Sequence, residues 1–238
     1  MRRLFISLGV TVFVMGFIAA PDASAQQSVN VYLGSFTPRA LDARAEGDVI
    51  VENGFFLSTV NRARGIDVGR FNHATVGAEW LFGITPNVEG SLGLGYYQRS
   101  VPTVYTDLVN LNGTDIEQEL KLRIVPFTAT IRLLPFGSER AIQPYIGAGV
   151  GVYRWRYSET GQFVDFRNDV FSGSFSGSGA AAGPTIMGGV RVPIASAGVG
   201  FEIRYQSAEG ALPDDEGFAG SKIDLGGVGY LLTMNFRF

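Results

Sequence analysis

Apolar side chains recur at every second position along most of this chain, a period that suits strands and does not suit helices. The last nine residues, Tyr230-Leu-Leu-Thr-Met-Asn-Phe-Arg-Phe238, show it most clearly. Tyr230, Leu232, Met234, Phe236 and Phe238 alternate there, with Thr233, Asn235 and Arg237 between them. Successive side chains of a strand point to opposite faces, so one face of this segment is apolar and the other polar.

The same reading predicts about eight strands, at 28–36, 73–82, 88–98, 120–134, 144–157, 185–192, 198–206 and from about 223 to the end. Their apolar faces carry Val76, Ala78 and Trp80; Phe127, Ala129 and Ile131; Ile146, Ala148 and Val150; and Val199, Phe201 and Ile203. Three connections are tight, at 84–87, 135–140 and 193–197, and they alternate with four long polar ones, at 37–72, 101–119, 158–183 and 207–222. Short turns at one end and long loops at the other are the asymmetry of an outer-membrane barrel, with both mature termini in the periplasm. The first long loop is expected to hold a short helix around 40–45 or to extend the strands.

Residues 1–25 read as a secretory signal peptide: Arg2 and Arg3, an apolar core from Leu4 to Ala20, and Ala23-Ser24-Ala25 as the cleavage site. That leaves 26–238 as one barrel domain. With no cysteine and a single histidine, disulfide scaffolds and thiolate or His-ligated metal centres are excluded, and no cofactor is expected. A net charge of -3 gives no reason to expect nucleic acid. After residue 25 the longest uncharged run, 170–190, is rich in Ser and Gly with Pro184 inside, too polar and broken for a lipid-facing helix. Crossing a membrane then requires a closed barrel, which leaves no backbone group unpaired. The 32 glycines are expected to make room for bulky neighbours in a crowded interior.

With the apolar faces turned to lipid, the opposite faces collect Glu79, Glu89, Arg132, Arg191, Glu202, Arg204 and Arg237. Isolated charges in a narrow interior are costly, so these are expected to pair into a plug without a continuous pore. The alternative is a gated conduit in which the pairs exchange partners. Aromatic girdles are expected at both rims, from Phe82, Phe136, Tyr145 and Phe238 below and Tyr96, Tyr153, Trp155, Tyr157 and Tyr205 above. Arg154 and Arg156 alternate outward near the upper rim, placed to meet lipid phosphates. Phe163, Phe166, Phe171 and Phe175 are expected to pack on one another over the mouth, and Glu209 with 214–216 forms an acidic loop.

Taken together, the chain resembles the small outer-membrane β-barrel superfamily of the OmpA-transmembrane, OmpX and OmpW type, through the glycine-patterned strand 144–151 and the terminal Phe238. The resemblance implies an all-β fold, an eight-stranded antiparallel up-and-down transmembrane barrel. It implies Tyr230, Phe236 and Phe238 as an insertion signal for the barrel assembly machinery. It also implies a monomer in the bacterial outer membrane among its lipids and lipopolysaccharide; in a departure from the full OmpA pattern, no C-terminal peptidoglycan-binding domain and no cell-wall tether are expected. The expected role is non-enzymatic, in envelope structure or surface interaction through the long loops, with a narrow channel for small or hydrophobic solutes second. A lipid A-modifying enzyme is a distant third. His73 with Thr75 is the one local pairing of that kind, and no nucleophile–base–orienter set accompanies it.

Overall fold

The computed structural model describes residues 27–60, 64–213 and 217–238; the expected signal peptide and the acidic 214–216 lie outside them. The strands are β1 (Gln27–Pro38), β2 (Leu57–Thr59), β3 (His73–Thr85), β4 (Val88–Val109), β5 (Asp115–Leu133), β6 (Gln143–Val164), β7 (Val170–Ile194), β8 (Ala197–Gln206), β9 (Glu209–Ala211), β10 (Lys222–Asp224) and β11 (Gly227–Arg237). Eight of them form an antiparallel ring in the order β4-β3-β1-β11-β8-β7-β6-β5, and the β4–β5 pairing returns it to its start. No helix among the described residues is long and apolar enough to cross a membrane.

Strand lengths divide the ring. β1, β3, β8 and β11 are 10–13 residues long, close to the 9–11 that a tilted membrane strand needs. β4, β5, β6 and β7 run 22, 19, 22 and 25 residues and continue past the loop end as a four-stranded wall. Two of the expected long loops are therefore mostly strand: the actual connections are 110–114 and 165–169. The Ser/Gly tract of β7 has little strand preference of its own. It is held by unbroken pairing with β6, from Val164↔Val170 to Gln143↔Arg191.

Polarity reverses partway up the wall. On the turn-end half of β5, Phe127, Ala129, Ile131 and Leu133 face out while Thr128, Thr130 and Arg132 are buried. Above Val125, Ile116, Leu120, Leu122 and Ile124 are buried and Glu117, Glu119 and Arg123 are exposed. β6 does the same, with Ile146, Ala148, Val150 and Val152 outside, then Tyr153, Trp155 and Tyr157 inside with Arg154 and Arg156 outside. The backbone register does not slip, because β5–β6 pairing is continuous across the change. The surroundings change instead: an apolar exterior belongs in hydrocarbon, and an apolar interior belongs in a wall surrounded by water. The upper girdle is corrected accordingly, since Tyr153, Trp155 and Tyr157 point inward and leave Tyr96 half exposed. Tyr145 also leaves the lower girdle, because its hydroxyl turns into the interior to reach Glu202.

The first loop caps the wall. It contains a 3-10 turn at Leu41–Ala43, the helix α1 (Val49–Asn53), β2 paired with β4, and a second 3-10 turn at Val68–Phe71. The α-helix thus forms after the expected 40–45, because Asp48 supplies its N-cap, accepting from the Ile50 and Val51 amides. Val49, Ile50, Ile66 and Phe71 join Leu122, Ile124, Trp155, Ile223 and Leu225 in one core inside the upper half. A buried polar latch closes it. Arg44 pairs with Asp48 at 2.7 Å, and Asp48 also accepts from the Asp224 amide at 2.6 Å. Arg39 bridges to Asp224 at 3.0 Å, which ties the first loop to the last.

Candidate functional site

The interior of the turn-end half is a charged lattice. β3 brings Glu79, β5 Arg132, and β8 both Glu202 and Arg204, each on the inward parity of its strand. Arg132 contacts Glu79 at 2.5 Å and Glu202 at 3.1 Å. Arg204 contacts Glu79 at 2.5 Å and also pairs with Glu202. Asn30 donates to Glu79 at 3.0 Å and the Tyr145 hydroxyl to Glu202 at 2.9 Å, adding neutral donors to both carboxylates. Two carboxylates against two guanidiniums are neutral as a set, as burial demands. The Arg204 guanidinium also lies over the Tyr32 ring at 5.1 Å, and Arg132 over Tyr145 at 5.0 Å.

Nearer the turns a second cross-link joins Arg191 to Glu89 at 2.7 Å, with Gln143 accepting from the Arg191 Nε at 2.9 Å. Arg237 does not join either group. It occupies the last strand position at the open rim, where water reaches it, and Glu89 is already neutralised by Arg191. The expected set of seven thus resolves into six charges in two clusters and one solvated arginine. Glycine makes the space: Tyr32 lies across Gly77 and Gly95, where an added Cβ would collide with its ring or hydroxyl. An interior hollow at this level, lined by Tyr32, Phe36, Thr128, Arg204 and Gln206, holds about 30 Å³. That is room for roughly one water.

At the loop end one buried carboxylate is exceptional. Glu159 on β6 accepts from the Asn53 amide of α1 at 2.6 Å and from the Tyr157 hydroxyl at 2.9 Å, with no cation paired to it among the described residues. Burial pushes its carboxyl above the usual range, outweighing both hydrogen bonds. The folded cap therefore keeps this proton to higher pH than the unfolded chain does. The stability it contributes is fully present below the unfolded value of about 4.3 and is lost as pH rises through the raised one. Hydrogen exchange in residues 49–60 is expected to quicken, beyond the intrinsic change, as pH rises above the ordinary carboxylate range, and Glu159→Gln to flatten that dependence. Asn53→Ala, which strips Glu159 of one partner, should cost about 1–3 kcal/mol of cap stability in the same assay.

The remaining expected residues are placed as follows. Arg154 and Arg156 are exposed on the outer face of β6, above the apolar belt. Tyr230, Phe236 and Phe238 are exposed on the outer face and end of β11. Phe163 packs on Phe171 and Phe175, with ring centroids 5.8 and 4.7 Å apart, at the hairpin tip and not across the mouth, while Phe166 is exposed. His73 is exposed at the start of β3, and the Thr75 hydroxyl donates to the Tyr96 carbonyl, so neither is arranged for nucleophilic chemistry. No cluster of three metal-ligating side chains exists among the described residues.

No family profile matches the chain, and no curated protein sequence matches it. Among solved structures, outer membrane protein OprG of Pseudomonas aeruginosa superposes with a TM-score of 0.53 at 14% identity, over 90% of this chain and 96% of that one. The chain has the fold of the small outer-membrane β-barrels. Neisserial surface protein A is also similar, at 10% identity over 90% of this chain and 97% of its own, with a TM-score of 0.49. Within this barrel, the sequence signal for the apolar upper core was a flip of parity. The apolar set moves from the even positions 146–152 of β6 to the odd positions 153–157.

Proposed function

We propose that this protein is an integral outer-membrane barrel of a bacterium with no enzymatic role, its turn end in the periplasm and its wall and cap presented outside as a rigid surface platform. The supporting observation is that the interior is filled at both levels. The charged lattice of Glu79, Arg132, Glu202 and Arg204 closes the membrane half, and the apolar core beneath the first loop closes the upper half. A conduit for polar solutes needs a wet lumen, and one for apolar solutes needs an apolar path through the membrane half; the buried ion pairs of the one half and the apolar core of the other support the closed reading over both. Function then belongs to the outer surface, where the β6–β7 hairpin exposes Phe166 and the outward serines of β7.

Purified protein reconstituted in planar bilayers is expected to give no discrete conductance, while unboiled samples migrate fast on gels as a folded barrel. Step-like currents from the wild-type protein would overturn the closed reading in favour of a gated channel. Loss of adhesion or surface binding on deleting 163–175, with the barrel still folded, is the positive outcome expected for the platform.

A further inference from the structure

Immediately above the apolar belt, the outer face of β5 and β6 carries four cations. By register Arg123 faces Arg156 directly, Lys121 faces Ser158, and Arg154 faces Val125. Gln98 of β4 faces Arg123 from the other side. Like charges directly opposite one another across a strand pair are destabilising. No ion pair among the described residues relieves them: the cations engaged in salt bridges are Arg39, Arg44, Arg64, Arg132, Arg191, Arg204 and Lys222. Glu119, two residues above Lys121 on the same face, pairs with none of the four. Among the described residues, the one side-chain hydrogen bond these four make is from Arg156 to the Ser176 hydroxyl, at 3.5 Å.

Lys121, Arg123 and Arg156, with Gln98 and Ser158, line a surface hollow of about 220 Å³. Directly beneath it the outward side chains are Leu94, Phe127 and Val152, all substantially exposed and part of the belt. A ligand seated here has an anionic head against the guanidiniums and a tail running down this apolar wall. Guanidinium pairs bidentately with phosphate oxygens, and the hydroxyl and amide at the edge add neutral donors.

We propose that this hollow is a binding site for the phosphorylated headgroup of an outer-leaflet lipid, which holds the otherwise self-repelling cations together. The assignment rests on the membrane placement above. It adds a site on the lipid-facing side of the wall, with Arg123 and Arg156 as the principal ligands and Lys121 and Arg154 flanking them.

The protein is reconstituted in phosphatidylcholine vesicles containing a few per cent of a phosphomonoester lipid, either phosphatidic acid or lipid A. It is then extracted gently, and the retained lipid is counted by native mass spectrometry. Wild-type protein is expected to retain the phosphomonoester lipid in preference to phosphatidylcholine. Arg123→Gln/Arg156→Gln should lower its apparent affinity about tenfold or more, because two charge-assisted contacts are lost. Lys121→Gln/Arg154→Gln should lower it less. Arg167→Gln, at the hairpin tip, should not change it. Inorganic phosphate at millimolar concentration is expected not to displace the lipid.

Equal retention by wild type and the Arg123/Arg156 double variant overturns the site, as does displacement of the lipid by free phosphate or equal retention of phosphatidylcholine. Flotation of every variant with the vesicles, and fast migration when unboiled, tests the membrane reading separately. Protein that fails to float sinks that reading, whereas floating protein without lipid preference sinks only the site.

Discussion

Replacing Arg132 with methionine is expected to lower the barrel's stability by about 3–5 kcal/mol. Arg132 is wholly buried and is the link between Glu79 and Glu202 that β5 supplies. Without it two carboxylates share one guanidinium, Arg204, and the membrane half carries an uncompensated negative charge in a low-dielectric interior. Urea titration followed by the gel shift of unboiled protein measures the loss. A compensated variant, with Glu79→Leu, Glu202→Leu and Arg204→Met added, should recover much of it, because the penalty lies in the unpaired charge and not in the absence of ions. An unchanged midpoint for the single variant would mean that water solvates these carboxylates, and the closed lumen would go with it.

Trp155→Ala is expected to cost a similar amount, about 3–5 kcal/mol, at a different place. The Trp155 ring is buried in the upper core, with Gly179 of β7 and Gly210 of β9 against it. Its removal leaves a cavity where the wall meets the last loop. Faster hydrogen exchange in the first loop and in 207–226 should accompany the loss, while the membrane half keeps its protection. The indole N–H has no hydrogen-bond partner among the described residues, so Trp155→Phe, which leaves a smaller cavity and strands no partner, should cost less than Trp155→Ala. The chain's other tryptophan, Trp80, faces outward in the belt and provides a control: brominated acyl chains should quench Trp80 but not Trp155. Comparable quenching of both would mean that the polarity reversal on β6 is misplaced.

How much of this was legible in the sequence depended on what surrounds each strand. Where one face meets lipid and the other a charged interior, as in β3, β8 and β11, period two named both faces, down to Glu79, Glu202 and Arg204 pointing inward. Where the exterior is water the same period carries the opposite meaning, so Trp155 was assigned to the wrong side. The Ser/Gly tract of β7 was unreadable as strand because its conformation comes from its partner and not from its own residues. The lattice charges could be collected from parity alone, but which cation meets which carboxylate depends on register and strand stagger. Arg237 shows the limit: correct parity at a hydrated rim creates no need for a partner. The latch of Arg39, Arg44, Asp48 and Asp224 joins positions up to 185 residues apart, and no local pattern announces it.

The reversed half also constrains how such a chain reaches its final state. In the proposed membrane placement Lys121, Arg123, Arg154 and Arg156 lie on the far side of a hydrocarbon slab, and so do the carboxylates Glu117 and Glu119. Each must be carried through acyl chains before the water-dependent packing that buries Leu122 and Trp155 has any driving force. On that placement, translocation of the β4–β5 and β6–β7 tips is expected to precede maturation of the cap. A barrel caught midway would be anchored by its belt yet open at the top, with its indole still accessible to solvent.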